Sequence, residues 1–272
     1  MRKKYLKLFK EIGDELKNEF KNIYLSKNAK RVVGHGKGGD ETTVIDKFAE
    51  DLIIKKLGEF HNNGKHNFRL ISEELGTRDF GCANSIKNII LVDPLDGSVN
   101  AKCGIPFFSV SIALIEGETL GGITVGYVLN LMNGDEFHAV KDCGAFLNNK
   151  KIKTEFNKNS LGLIGIESPI KDSLPYIMKM GKFAERIRIM GSLALDVCYV
   201  ASGALDAGVF PFRVRPVDFA AGKLILEEAG GVITDFNGGK TDDIMAGVEK
   251  KTEIICAGNE KIYDKILEII RK

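Results

Sequence analysis

A mixed α/β (α+β) fold is predicted for these 272 residues, on three observations. Segments with apolar residues three or four apart alternate with short apolar runs, the signatures of amphipathic helices and of buried strands. The runs are bounded by glycine, proline and asparagine, which turn the chain rather than extend it. The composition is that of a packed globular protein, 44% hydrophobic and 28% charged, with no internal repeat, low-complexity stretch or linker. One compact domain with two sub-regions, about 1–155 and 156–272, is the expected organisation.

Taken in order, Leu6, Phe9, Ile12, Leu16, Phe20 and Ile23 share one face, so residues from about 3 to 25 are expected to form an amphipathic helix. Gly34-His35-Gly36-Lys37-Gly38-Gly39-Asp40 follows as a glycine-rich mobile loop. It lacks the Gly-Lys-Ser/Thr ending of a nucleotide-cradling loop. Two readings stay open for it: an active-site loop carrying Lys37 and Asp40, or a plain linker. Thr42 or Thr43 caps a second helix to about Leu57, with Val44, Phe48, Leu52 and Leu57 inward. Asp46 lies in its first turn, where the helix dipole favours a carboxylate. That placement alone accounts for Asp46. A loop around His61-Asn62-Asn63-Gly64 leads to a strand at Phe68–Ile71, directly followed by Glu73 and Glu74.

The apolar run Ile89–Val92 reads as a buried strand and ends in Asp93-Pro94-Leu95-Asp96-Gly97-Ser98. An unpaired buried carboxylate is expensive to desolvate, so two of them at one strand end need a reason. Pro94 stiffens the bend and Gly97 releases it, letting both side chains and the Leu95 carbonyl converge. Convergent hard oxygens suit Mg²⁺, which keeps room for a substrate phosphate. The alternative is a strand end whose aspartates cap the next turn.

Phe107–Ile115 and Thr119–Val128 predict two more strands, Phe137–Val140 and Ala145–Leu147 two short ones, with Asn148-Asn149 as a hairpin turn. From Leu161–Ile166 onward strands and helices interleave. Leu174–Met180 and Ser192–Ala201 read as helices, Arg186–Met190 and Ala207–Phe210 as strands. Pro216 precedes Asp218 and a helix Phe219–Ala229, which stops at Gly230-Gly231. Val232–Thr234 and Ile254–Ala257 are strands, and Asn259 caps a final helix to about Ile270.

A net charge of +2 with mixed lysine and glutamate predicts neither nucleic acid nor an anionic membrane as partner. No apolar run reaches 18 residues, and the chain opens in an amphipathic pattern, so the expected compartment is cytoplasmic. The five cysteines lack paired spacing, and the four histidines lack ligand spacing. Neither set predicts a zinc site or a disulfide framework.

Four carboxylate positions therefore stand at element ends: Glu73, Asp93, Asp96 and Asp218. The motifs Gly39-Asp40…Thr43-x-x-Asp46, Glu73-Glu74, Asp93-Pro94-Leu95-Asp96-Gly97-Ser98-x-Asn100 and Val217-Asp218-x-Ala220-Ala221-Gly222 occur in that order. In this the chain resembles the inositol monophosphatase superfamily of Mg²⁺-dependent phosphatases. The more similar branch is that of the archaeal bifunctional fructose-1,6-bisphosphatase/inositol monophosphatases. The resemblance runs nearly end to end and includes Gly104-Ile105-Pro106-Phe107 and Glu227–Gly231. It implies a layered α-β-α-β-α sandwich of the inositol monophosphatase/fructose bisphosphatase type, a homodimer, and Glu73, Asp93, the Leu95 carbonyl, Asp96 and Asp218 as metal ligands. The implied ion is Mg²⁺, on the order of two or three per site, with Mn²⁺ as a substitute. Two departures are Val217, where many relatives carry Trp, and Ser98, where eukaryotic relatives usually carry Thr and which keeps the hydroxyl.

Phosphate monoesters hydrolyse very slowly without a catalyst, so such a site must neutralise charge and align a water. Glu73 is expected to orient the nucleophilic water, with Ser98, paired with Asp46, assisting proton removal or a second water. The backbone N–H groups of Gly97 and Ser98 are expected to hold the phosphate. For the substrate, eukaryotic relatives place a glutamate shortly before the Asp218 position, where this chain has Pro211-Phe212-Arg213-Val214-Arg215. Alternation puts Arg213 and Arg215 on one face of an extended segment. With Arg186 and Arg188 upstream they offer cationic forks for a second phosphate, against ordinary surface arginine. Gly191-Ser192-Leu193 resembles the sugar-pocket segment of relatives. The leading expectation is hydrolysis of fructose 1,6-bisphosphate and inositol 1-phosphate. NADP(H) or 3′-phosphoadenosine 5′-phosphate is the second, and a non-catalytic metal-binding protein the third.

Overall fold

The computed structural model describes residues 1–26, 28–39, 41–154, 159–167 and 169–271. Asp40 and the boundary expected at 155–156 lie outside them. The first half runs α1 (Arg2–Ile23), β1 (Val32–His35), β2 (Glu41–Thr43), α2 (Val44–Gly64), β3 (Phe68–Ser72), β4 (Gly76–Phe80), β5 (Asn88–Asp96) and α3 (Ser98–Cys103). It continues through β6 (Ser109–Glu116), β7 (Ile123–Asn130), β8 (Glu136–Val140), β9 (Ala145–Leu147) and β10 (Lys150–Ile152). The second half runs β11 (Leu163–Ile166), α4 (Ile170–Met180), β12 (Arg186–Arg188), α5 (Leu193–Ala201) and β13 (Ala207–Val214). It ends with α6 (Pro216–Ala229), β14 (Val232–Asp235), β15 (Thr252–Ala257) and α7 (Glu260–Arg271).

Side chains alternate across a strand, and that alternation builds the layers. In β5, Ile90 and Val92 enter the core shared with α1 and α2, while Ile89 and Leu91 enter the core shared with α5 and α6. The eight-stranded sheet, ordered β10-β9-β8-β7-β6-β5-β3-β4, thus carries helices on both faces. The five-stranded sheet, β12-β11-β13-β15-β14, does the same: Phe210 and Val214 of β13 face α5 and α6, and Ala207 and Val209 face α7. The result is the layered α-β-α-β-α sandwich. Small residues bring the middle layer close. A Cβ on Gly126 of β7 would stand 2.6 Å from the Ala221 carbonyl oxygen of α6, and one on Gly222 would stand 3.0 Å from Val197 of α5.

Several expectations are corrected. The glycine-rich loop is the tip of the β1–β2 hairpin, and its turn is fastened: Lys37 N–H donates to the Glu74 carbonyl at 3.1 Å and Gly38 N–H to the Glu73 carbonyl at 2.8 Å. The His61–Gly64 stretch continues α2 instead of forming a loop, and Lys65 in the left-handed region ends the helix. Phe60, stacked on His66 and tilted against Tyr5 and Phe68, explains why packing overrides the turn residues. β4 pairs antiparallel with β3 and was not expected, since its Thr77-Arg78-Asp79 centre is exposed. The strand expected over Arg186–Met190 stops at Arg188. α6 begins at Pro216, at the first helical position, rather than at Phe219. The Asn148-Asn149 turn forms as expected, with φ values of 50° and 62°.

Candidate active site

Two strand ends and one helix start converge between the sheets. β3 and β5 are parallel neighbours in which Ser72 is level with Val92, and Glu73 N–H donates to the Val92 carbonyl at 3.2 Å. The next residues, Glu73 just past the end of β3 and Asp93 within β5, therefore stand side by side on strands that lie about 4.8 Å apart in any sheet. α6 adds Asp218 from its first turn. Carboxylate oxygens of Glu73, Asp93 and Asp218 lie within 4.8 Å of one another, all three residues being buried. Asp93 also turns back to accept the Leu95 N–H at 3.0 Å. The Leu95 side chain points the other way, into the core beneath α1 and α2.

Asp96 lies beside this trio and is held from its far side. Its Oδ2 accepts the Ser192 hydroxyl, the Ala194 N–H at 2.9 Å and the Ser109 hydroxyl at 3.4 Å, which leaves Oδ1 without those donors. Gly97, at φ +87°, then breaks out of β5 into α3. A Cβ there would stand 2.8 Å from the Gly191 carbonyl oxygen, so the turn needs glycine. Ser98 begins α3 and is half-buried, and Asn100 beneath it donates to the carbonyls of Phe107 at 2.8 Å and Met190 at 2.7 Å.

The electrostatics are those of crowded anions. Burial pushes the Glu73 carboxyl up to about 8; Arg215 pulls it down, and Asp218 and Glu74 push it up. Burial raises Asp96 to about 7 against the Ser192 hydrogen bond, with Asp218 raising it further. Asp93 is held well above the carboxylate range by burial, then by Glu73, Asp96 and Asp218. Arg215 answers part of this charge, its Nη1 lying 2.6 Å from Glu73 and its Nε 3.1 Å from Asp218. Gly38 lies over the pair, and a Cβ on it would come within 2.7 Å of the Arg215 guanidinium. Four carboxyl groups around one guanidinium make a water-poor cluster of hard oxygens, a donor set that fits a divalent cation.

The expected substrate groups are scattered. Arg213 is exposed and donates through Nε and Nη2 to the Lys251 carbonyl, whereas Arg215 turns inward, so the two guanidinium groups diverge. Arg188 is exposed on edge strand β12, with Nη1 on the carbonyl of Ile187. Ser192 caps α5 and faces Asp96. Asp46 is taken up by its own helix: Oδ2 accepts the Thr43 N–H at 2.7 Å and hydroxyl at 2.6 Å, and Lys102 stands 3.4 Å away. Among the described residues no hydrogen bond joins Asp46 to Ser98. Sequence reasoning missed Glu167, which follows β11, and Asp196 in α5. Glu167 carries the same signal as Glu73, an apolar strand that ends in a carboxylate.

Carboxylates gathered at strand and helix ends between two helix-covered sheets form a site that could hold a metal ion. The chain belongs to the inositol monophosphatase family, whose model matches residues 2–272. It is 36% identical over 259 residues to the fructose-1,6-bisphosphatase/inositol-1-monophosphatase of Methanothermobacter thermautotrophicus, covering 90% of this chain and 89% of that one. It is 32% identical over 286 residues to the bifunctional NADP phosphatase/NAD kinase of Methanococcus maripaludis, covering 97% of this chain and 49% of that protein. A solved structure from Pyrococcus horikoshii, a hypothetical protein with similarities to inositol-1 monophosphatase, superimposes with a TM-score of 0.84 at 30% identity, covering 100% of both chains. Among the described residues, no helix is long and apolar enough to cross a membrane.

Proposed function

We propose that the chain acts as one domain, a Mg²⁺-dependent phosphomonoesterase for fructose 1,6-bisphosphate and inositol 1-phosphate. The observation that carries this reading is the buried Glu73–Asp93–Asp218 cluster with Asp96 beside it. These four carboxylates and the Leu95 carbonyl would hold the ion. When bound, Mg²⁺ supplies positive charge to the phosphoryl oxygens and makes water a stronger nucleophile. Glu73 orients the attacking water. The Gly97 and Ser98 N–H groups at the start of α3 bind the phosphate, and the Ser98 hydroxyl helps to move a proton.

Arg188 and Arg213, both exposed, are the candidates for a second phosphate. Replacing both arginines is expected to raise KM for the bisphosphate about tenfold or more, the worth of one or two charge-assisted hydrogen bonds, with little change for inositol 1-phosphate. Mg²⁺-dependent phosphate release from fructose 1,6-bisphosphate, inositol 1-phosphate and NADP, measured side by side, tests the assignment. Asp96→Asn serves as the inactive control. Activity confined to NADP would replace the substrate, and release that survives Asp96→Asn would remove the site.

A homodimer in the cytoplasm, where the five free cysteines stay reduced, belongs to the same proposal. Ile170, Leu174 and Met178 form an exposed apolar stripe along α4, the kind of face a second copy would cover. Leu174→Asp is expected to shift a dimer to a monomer in sedimentation equilibrium. A native chain that sediments as a monomer would refute this.

A further inference from the structure

Behind the active site two more carboxyl groups are buried where no mechanism uses them. Glu167 follows β11 and is 9% exposed, and Asp196 in α5 is fully buried. Glu167 Oε1 accepts the N–H of both Met190, at 2.5 Å, and Gly191, at 2.6 Å. Asp196 finds no ordinary donor for either oxygen among the described residues, and its hydrogen-bonding neighbour is the Glu167 carboxyl. Gly165 of β11 makes room for it, since a Cβ there would stand 3.1 Å from Asp196 Oδ2.

Two carboxyls facing each other out of water cannot both ionise cheaply, so one proton is shared between them. Burial raises both carboxyls, but Glu167 accepts two N–H groups and Asp196 accepts none, so the proton belongs on Asp196, which donates it to Glu167. Glu167 can then stay anionic and grip the two N–H groups. The gripped turn leads directly to the active site. Asn100 of α3 donates to the Met190 carbonyl, and Ser192 and Ala194, just beyond Gly191, donate to Asp96 Oδ2.

We propose that Glu167 and Asp196 are a hydrogen-bonded carboxyl pair that positions the metal ligand Asp96, acting through the Met190–Gly191 turn and the first turn of α5. The inference rests on the metal-centre reading above. Groups that orient a ligand in this way typically matter about 10–100-fold in metal affinity.

Mn²⁺ titration calorimetry on the full chain, with a metal-free melting curve for each variant, tests it. Glu167→Ala and Asp196→Leu are expected to weaken Mn²⁺ binding about 10–100-fold and to lower kcat for phosphate release. Asp196→Asn keeps a donor towards Glu167 and is expected to stay within about threefold of the native chain. Should Glu167→Ala fail to fold, Glu167→Gln carries the same test with an intermediate loss, since it keeps the acceptor without its charge. Unchanged Mn²⁺ affinity in folded Glu167→Ala or Glu167→Gln overturns the proposal, as does an Asp196→Asn as weak as Asp196→Leu. A native chain that binds Mn²⁺ yet releases no phosphate overturns the substrate reading alone. One that binds no Mn²⁺ overturns both.

Discussion

Asp93→Asn is expected to cut phosphate release by at least about a hundredfold, on the scale of losing a preorganised charged group, while making the metal-free protein more stable. The two effects share one cause. Asp93 is 2% exposed and lies among Glu73, Asp96 and Asp218, so its charge is strongly opposed. A divalent cation needs that charge, but the metal-free fold only bears its cost. The amide is nearly isosteric and its oxygen can still accept the Leu95 N–H that Asp93 accepts now. In a chain of this size each kcal/mol recovered raises Tm by about 2–4 °C. Calorimetry in chelator and a phosphate-release assay in Mg²⁺ check the two halves. Retained turnover, or a metal-free variant that melts lower than the native chain, would contradict the charge argument.

Metal-free protein is expected to lose stability as pH rises, and Mg²⁺ to restore it most at the alkaline end. Burial places Glu73 at about 8 and Asp96 at about 7 in the folded chain. Once unfolded, both groups return to about 4. Between those values the folded chain binds protons that the unfolded chain releases, so stability falls with pH across the window from about 4 to about 8. Below it both states are protonated and the difference disappears. Cations compete with the same protons, so added Mg²⁺ should flatten or reverse the slope. Melting curves in chelator and in Mg²⁺ from about pH 5 to about pH 8.5 read this directly. A chelated protein most stable near pH 8 would show that the cluster is not desolvated as the structure places it.

The parts of the site that the sequence shows are those written within one short segment. Asp93, Pro94, Asp96 and Gly97 read as a strand end that collects oxygens, because the cost of burying two carboxylates is a local fact. Glu73 and Asp218 are visible as residues but not as neighbours. Their approach depends on the parallel register of β3 with β5 and on the seating of α6 against Gly126, contacts between segments far apart in the chain. Arg215 shows the difference most clearly. Alternation groups it with Arg213 as a substrate fork, yet the fold turns it inward to Glu73 and Asp218. Glu167 carries a legible strand-end signal, but its partner Asp196 looks like any acid in the first turn of a helix until burial is known.

Hydrophobic periodicity and turn residues determined the alternation of helices and strands, the α/β class and the carboxylate-bearing motifs, since those depend on neighbours a few residues away. It was the tertiary structure that decided which short segments became β1, β2 and β4, and how far α2 runs. It also decided which carboxylates share one dry space and which arginine neutralises them. Desolvation and charge pairing act across space, between groups up to about 145 residues apart here, and only the packed layers set those distances.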